Sequence, residues 1–243
     1  SQVFMIEPKK KEIERVRSNL WKDMLSLLKS RSILRLIVLF ALNAISTALA
    51  TSFLGSYMIK EMAFSQTFIV LLTTISSISR IISTSFLGKF ADRKSFAEMA
   101  GVCFFIISIS YLMCACAVPE NGGIMLLGYY VLYGVAMGGI GNATMNLIFD
   151  YVSDSQRADV LALCHSASGV TALCATIAAG KLVAHIQNAG NMLFGIPVYA
   201  QQITACIGMF ASFGAMGISC EIARKNISLM ENCEIVYNIN RKV

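Results

Sequence analysis

Apolar residues in this chain run on for whole helix lengths, and polar residues collect in short breaks between the runs. Six stretches, near residues 33–59, 66–87, 96–118, 124–149, 160–186 and 199–222, each have the length of a bilayer-spanning helix, which takes about 20 mostly apolar residues. The breaks are Lys60 and Glu61, the segment Gly88 to Lys94, the turn-prone run Pro119-Glu120-Asn121-Gly122-Gly123, the polar stretch Asp150 to Asp159, and an uncharged loop holding Asn188, Gly190, Gly195 and Pro197. Ahead of the first span, residues 8–31 interleave charge with Ile13, Val16, Leu20, Met24, Leu27 and Leu28 at helical spacing, with Trp21 among them. That pattern predicts an amphipathic helix lying on the membrane surface. The pattern as a whole predicts an all-α, polytopic membrane protein of six transmembrane helices, preceded by a cytoplasmic amphipathic helix. Its organisation reads as a linker segment over 1–31, a six-helix bundle over 32–222 and a polar, fraying tail over 223–243.

Composition agrees. With 56% hydrophobic and 14% charged residues in 243 and a mean hydropathy of +0.65, a water-soluble domain would have too little polar surface. Six spans and their connections leave no length for a separate soluble domain. The net charge of +6 does not point to nucleic acid, because the basic residues stand beside the apolar runs; membrane lipids with anionic headgroups are the partner their placement suits. No short apolar segment with a cleavage site precedes the first span, and the chain reads as starting within a longer protein. Cys103, Cys114, Cys116, Cys164, Cys174, Cys206 and Cys220 fall inside apolar stretches and read as reduced, small packing residues. His165 and His185 are twenty residues apart and lack the spacing of a metal pair; no metal or cofactor is expected.

Lysine and arginine set the orientation, since positive loops resist translocation. Lys9, Lys10, Lys11, Arg15, Arg17, Lys22, Lys29, Arg31 and Arg35 precede the first span, and Lys89, Arg93, Lys94, Arg157, Arg224, Lys225, Arg241 and Lys242 fall on the same side. The other side has only Lys60 and Lys181. Both termini are therefore expected in the cytoplasm, with the bundle in the cell membrane, a bacterial inner membrane being the expected setting. Small residues mark the places where helices can approach closely. Gly134 and Gly138 form a G-x-x-x-G pair in the fourth span, followed by Gly139 and Gly141, and the fifth carries Ser168, Gly169, Ala172, Ala175, Ala179 and Gly180. Ordinary bundle packing explains such a stripe more simply than a flexible gating helix.

Polar groups inside the spans are the candidate functional residues. Arg80 lies eight residues before Gly88, about 12 Å from a helix end placed at that glycine, and a charge at that depth must face the bundle, water or a partner. Either it snorkels or pairs structurally, with Asp92 and Asp150 the nearest partners by topology, or it belongs to a transport pathway. Asn142, Asn146 and Asp150 share one face of the fourth span and could line a cavity or bridge helices. Asn43, Ser46 and Thr47 in the first span, and Gln201 and Gln202 in the sixth, are weaker candidates for the same roles. No carboxylate lies deep in any span, so a proton-coupling acid would have to come from elsewhere.

The break after the second span reads Gly88-Lys89-Phe90-Ala91-Asp92-Arg93-Lys94-Ser95. Gly88 could end a helix in a left-handed turn; Asp92 could accept from a helix N-terminus; Arg93 and Lys94 would hold the loop inside. This loop, between the second and third of six spans, resembles the G-x-x-x-D-R signature of the major facilitator superfamily, with Gly88, Asp92 and Arg93 matching. Ser95 stands where the full pattern has glycine and Phe96 where it has a basic residue, as in the second-half copy of the signature. The basic lead-in looks like that family's central cytoplasmic linker. The resemblance implies one half of a twelve-helix transporter, the six spans being helices seven to twelve. It further implies a small-molecule solute bound between halves near the membrane midplane, alternating access, and a gating loop at Gly88, Asp92 and Arg93 that favours the outward-facing state. The partner would be an N-terminal six-helix half, or a second copy if the chain is complete. An intramembrane enzyme would need paired His and Glu or an activated serine, and no such constellation is present. A membrane scaffold or receptor is the remaining alternative, against which Arg80 and the polar fourth span weigh.

Overall fold

The structure, a computed structural model, describes the backbone of residues 27–193 and 196–240 and the side chains of 27–192 and 198–224. Most of the amphipathic segment expected before the first span lies outside the described residues. The elements are α1 (Arg31–Thr51), α2 (Leu54–Lys60), α3 (Gln66–Arg93), α4 (Phe96–Ala115), α5 (Gly122–Tyr151), α6 (Arg157–Asn188), a two-stranded ribbon of β1 (Met192–Leu193) and β2 (Ile196–Pro197), and α7 (Ala200–Asn240). Six helical units are long and apolar enough to cross a membrane, with α1 and α2 forming one of them.

Three boundaries differ from those the hydropathy pattern predicts. The first span is broken at Ser52 and Phe53, where Phe53 takes φ −112° and ψ 0°; just before it the Thr51 hydroxyl donates to the Thr47 carbonyl at 2.8 Å, local bonding that loosens a helix end. The second correction is at Gly88, which does not end a helix. α3 continues to Arg93, and Gly88 is not among the residues with positive φ. The turn shrinks to Lys94 and Ser95 because Ser95 caps the next helix, its Oγ accepting from the Glu98 amide at 3.1 Å in an S-x-x-E capping pattern. The third difference is the tail, where α7 runs to Asn240: no glycine or proline follows Gly217 to stop it.

Side-by-side packing sets the helices in the order α6, α1, α7, α4, α5, α3. α4 is the hub, with Met99, Cys103, Phe104, Ile107, Tyr111 and Cys114 all buried between α5 and α7. The two outermost helices in this order, α3 and α6, leave most of their side chains uncovered. Glycines set the closest crossings. A Cβ at Gly134 would collide with the Ser76 carbonyl oxygen, one at Gly138 would lie 2.9 Å from the Arg80 carbonyl, and one at Gly208 would lie 2.9 Å from the Ser46 carbonyl. The G-x-x-x-G pair is thus the seat of α3 on α5. Hydroxyls tie these crossings further: Ser83 donates to Val135 O at 3.2 Å, Thr84 to Gly138 O at 3.3 Å, and Ser46 to Gly208 O at 2.9 Å.

The two ends of the bundle are tied differently. At the end expected outside, the Tyr57 hydroxyl donates to Ala117 O at 2.8 Å, Gln201 Nε2 to Ala50 O at 2.6 Å and Gln202 Nε2 to Ala117 O at 3.4 Å. Gln201 and Gln202 are therefore struts between helices. The uncharged loop before α7 folds into the ribbon, pairing Met192 with Pro197 and Leu193 with Ile196, and Asn191 Nδ2 fastens it to Glu61 Oε2 at 3.3 Å. At the opposite end Arg157 closes the α5–α6 turn, donating to Phe149 O at 2.8 Å and to Val152 O at 3.2 Å, and pairing with Asp154 at 2.6 Å. Arg35 pairs with Glu221 at 2.9 Å, joining α1 to α7.

Candidate functional site

With α3 extended to Arg93, Arg80 is thirteen residues from one end of its helix and fourteen from the other, roughly 20 Å from each. It lies at the middle of the span, deeper than a helix ending at Gly88 would put it. Its side chain is exposed. Among the described residues it makes no ion pair, and neither Asp92 nor Asp150 is its partner.

α3 carries Arg80 in a stripe of small polar residues, Thr73, Ser77, Arg80 and Thr84, spaced at helical intervals along one face. Each hydroxyl donates to its own helix: Thr73 to Val70 O at 2.8 Å, Ser77 to Thr73 O at 3.0 Å, Thr84 to Arg80 O at 2.7 Å. No donor among these three hydroxyls is left orphaned, which is how hydroxyl side chains are tolerated at membrane depth.

Tyr133 opens onto a layer of aromatic rings. Its centroid is 5.5 Å from that of Tyr129, and Tyr129 and Tyr111 are stacked at 6.4 Å. Tyr111 is fully buried. Its hydroxyl faces the Ser46 and Thr47 side chains of α1 without closing a hydrogen bond to any described residue. Asn43, one turn away on α1, likewise has a buried Oδ1 with no partner. By helix position the ring layer stands toward the α4–α5 turn, Tyr111 being four residues from the end of α4 and Tyr129 seven from the start of α5, whereas Arg80 is at the middle of α3. The tyrosines were not among the residues picked out from the sequence. The signal was there, in Tyr129 and Tyr133 spaced by four within an apolar span, but the partner Tyr111 comes from another helix.

The remaining candidates lie nearer the C-terminal end of α5. Asn142 is exposed, and Asn146 is half-buried with Nδ2 donating to the Asn142 carbonyl at 2.8 Å. That bond is within one helix, so Asn146 bridges nothing in the described residues. Asp150 is exposed at the helix end. In the signature segment Asp92 and Arg93 are exposed in the last turn of α3, Arg93 favourably placed at the helix C-terminus, and the space around Gly88 is open. His165 packs edge-on against Phe40 at 5.6 Å, a contact between α6 and α1. Among the described residues no three His, Cys, Asp or Glu side chains gather where they could hold a metal.

Six helical units long and apolar enough to cross a membrane define a polytopic membrane protein. The model of the Major Facilitator Superfamily matches residues 36–219, from the first turns of α1 to the membrane portion of α7, and the chain belongs to that family. It is an integral, multi-pass membrane transporter. No curated protein matches the chain.

Proposed function

We propose that this chain is the C-terminal six-helix half of a secondary active transporter. It moves a small solute across the cell membrane by alternating access, with both of its ends in the cytoplasm. The observation that carries this reading is the uncovered pair α3 and α6 flanking the bundle, with Arg80 exposed at mid-depth on one of them. An arginine left facing lipid there would cost at least ~2.5 kcal/mol by insertion scales, so that face belongs against water and a second half-bundle. The role is transport, in keeping with the family to which the chain belongs. Since no carboxylate lies deep in the described spans, a proton-coupling acid, if the cycle uses one, sits in the partner half.

The gating role falls to Asp92 and Arg93 in the last turn of α3, with Gly88 one turn earlier. The test combines two measurements on the native protein. Its intact mass should be near twice 26.4 kDa; a mass of 26.4 kDa with self-crosslinking through α3 would assign the second half to another copy. Cysteine accessibility at Ser77→Cys should change on adding transported solute, and Asp92→Asn should shift the balance of inward- and outward-facing states. Accessibility that no solute alters would refute alternating access through this face.

A further inference from the structure

We propose that a groove between α4 and α7 holds one phospholipid whose headgroup carries both a phosphate and a primary ammonium, of the phosphatidylethanolamine kind. Arg224 takes the phosphate and Glu98 the ammonium, with an acyl chain lying along the groove. The inference needs only that the chain crosses a bilayer, and it is independent of the solute and of the transport cycle.

The groove has a volume of about 490 Å3, within the range usual for small-molecule sites. Its lining is apolar almost throughout, and Glu98 and Arg224 are its only charged residues. Both charges stand at one end. Glu98 is in the first turn of α4, and Arg224 is the last residue of the membrane-length portion of α7. The apolar lining runs inward from them: Phe105 is seven residues further along α4, and Met216 is eight residues back along α7, roughly 10–12 Å at the helical rise. Val102 and Phe105, 42% and 49% exposed, form a wall that no described residue covers. Gly101 keeps the floor low where the helices meet, since a Cβ there would already lie 3.5 Å from Cys220 Sγ. Charge at the membrane boundary and an uncovered apolar channel leading inward follow the order of parts in a lipid standing in one leaflet.

The charges choose among lipids. Among the described residues the ion pairs are Arg35 with Glu221 and Arg157 with Asp154, so Glu98 and Arg224 share a groove without pairing with each other. Glu221, one turn back from Arg224, is committed to Arg35. The Glu98 carboxylate accepts no hydrogen bond from a described residue, although its amide is capped by Ser95. One negative and one positive group sum to zero and are matched together by a zwitterion; an anionic headgroup would satisfy Arg224 and repel Glu98. A guanidinium suits phosphate through its fork of donors. A carboxylate suits a primary ammonium, which offers three N–H donors, better than a quaternary one, which offers none.

The native protein, purified in detergent and stripped of lipid, is titrated with phosphatidylethanolamine, phosphatidylcholine and phosphatidylglycerol of matched dioleoyl chains, and native mass spectrometry counts the lipid retained. Half-saturation by phosphatidylethanolamine is expected roughly three- to tenfold below that of the other two, the gain of one charged hydrogen-bonded contact. Glu98→Gln should bring phosphatidylethanolamine and phosphatidylcholine level, and Arg224→Gln should weaken both alike. Location is tested with the charges intact: p-benzoylphenylalanine in place of Val102, photoactivated in the membrane, should give an adduct with the mass of a phosphatidylethanolamine. Equal retention of the three lipids, or an ethanolamine preference that survives in Glu98→Gln, would overturn the proposal. So would a photoadduct to protein, which would assign the groove to another half-bundle or a second copy of the chain.

Discussion

Replacing Gly134 by alanine tests the α3–α5 crossing on which the placement of Arg80 depends. A Cβ at residue 134 would run into the Ser76 carbonyl oxygen and lie 3.0 Å from Ser76 Oγ. The obstacle is helix backbone, so relief requires the two helices to part. Forcing a methyl into such a contact costs about 1–3 kcal/mol. Parting also lengthens the Ser83–Val135 and Thr84–Gly138 bonds of 3.2 and 3.3 Å, each worth about 0.6 kcal/mol as interhelical bonds in a bilayer. Against this, alanine gains about 1 kcal/mol over glycine in a helix interior. The net expectation is a loss of about 1–3 kcal/mol, read as reduced resistance to SDS or heat in detergent. Gly88→Ala is the control: it has the same helix gain and open space around the new methyl, so its stability should hold or rise. If Gly134→Ala matches Gly88→Ala to within about 0.5 kcal/mol, the close crossing is not there.

Other tests address separate parts of the bundle. On intact cells a membrane-impermeant maleimide should label exposed Cys116 and spare exposed Cys220, and the reverse pattern would invert the orientation read from the positive residues. A double-mutant cycle on Arg35 and Glu221, whose side chains are 23% and 54% exposed, should give a coupling of no more than about 1 kcal/mol, falling with added salt; a much larger value would mean the pair is shielded from water. Gln201, 2% exposed, donates to Ala50 through Nε2 while its Oε1 has no partner. Gln201→Met removes the donor to the buried Ala50 carbonyl and should cost about 1–3 kcal/mol, less whatever the loss of the orphan Oε1 returns, whereas Gln201→Glu buries a charge and should lower the melting temperature further.

Hydropathy alone was enough for the number of spans and the all-α class, and the residues Gly88, Asp92 and Arg93 between the second and third spans for the family resemblance. In a bilayer each span must satisfy its own backbone, so length and apolar content are local properties that sequence displays directly. The same locality explains where the reading went astray. Gly88 has the composition of a helix stop, yet Ser95 caps the following helix and lets α3 run on, and so the depth of Arg80 was underestimated. Gln201 and Gln202 could from sequence line a cavity or bridge helices, and they are struts; whether an amide faces a cavity or a neighbouring carbonyl depends on the helix beside it. Gly134 and Gly138 announced a close approach but not to which helix; only packing shows that their partner is the backbone at Ser76 and Arg80. The tyrosine layer could not be read from any one span, since Tyr111 and Tyr129 come from different helices and meet only when α4 seats between α5 and α7. What each segment is was settled by residues near in sequence; which helices meet was settled by contacts among residues far apart in it.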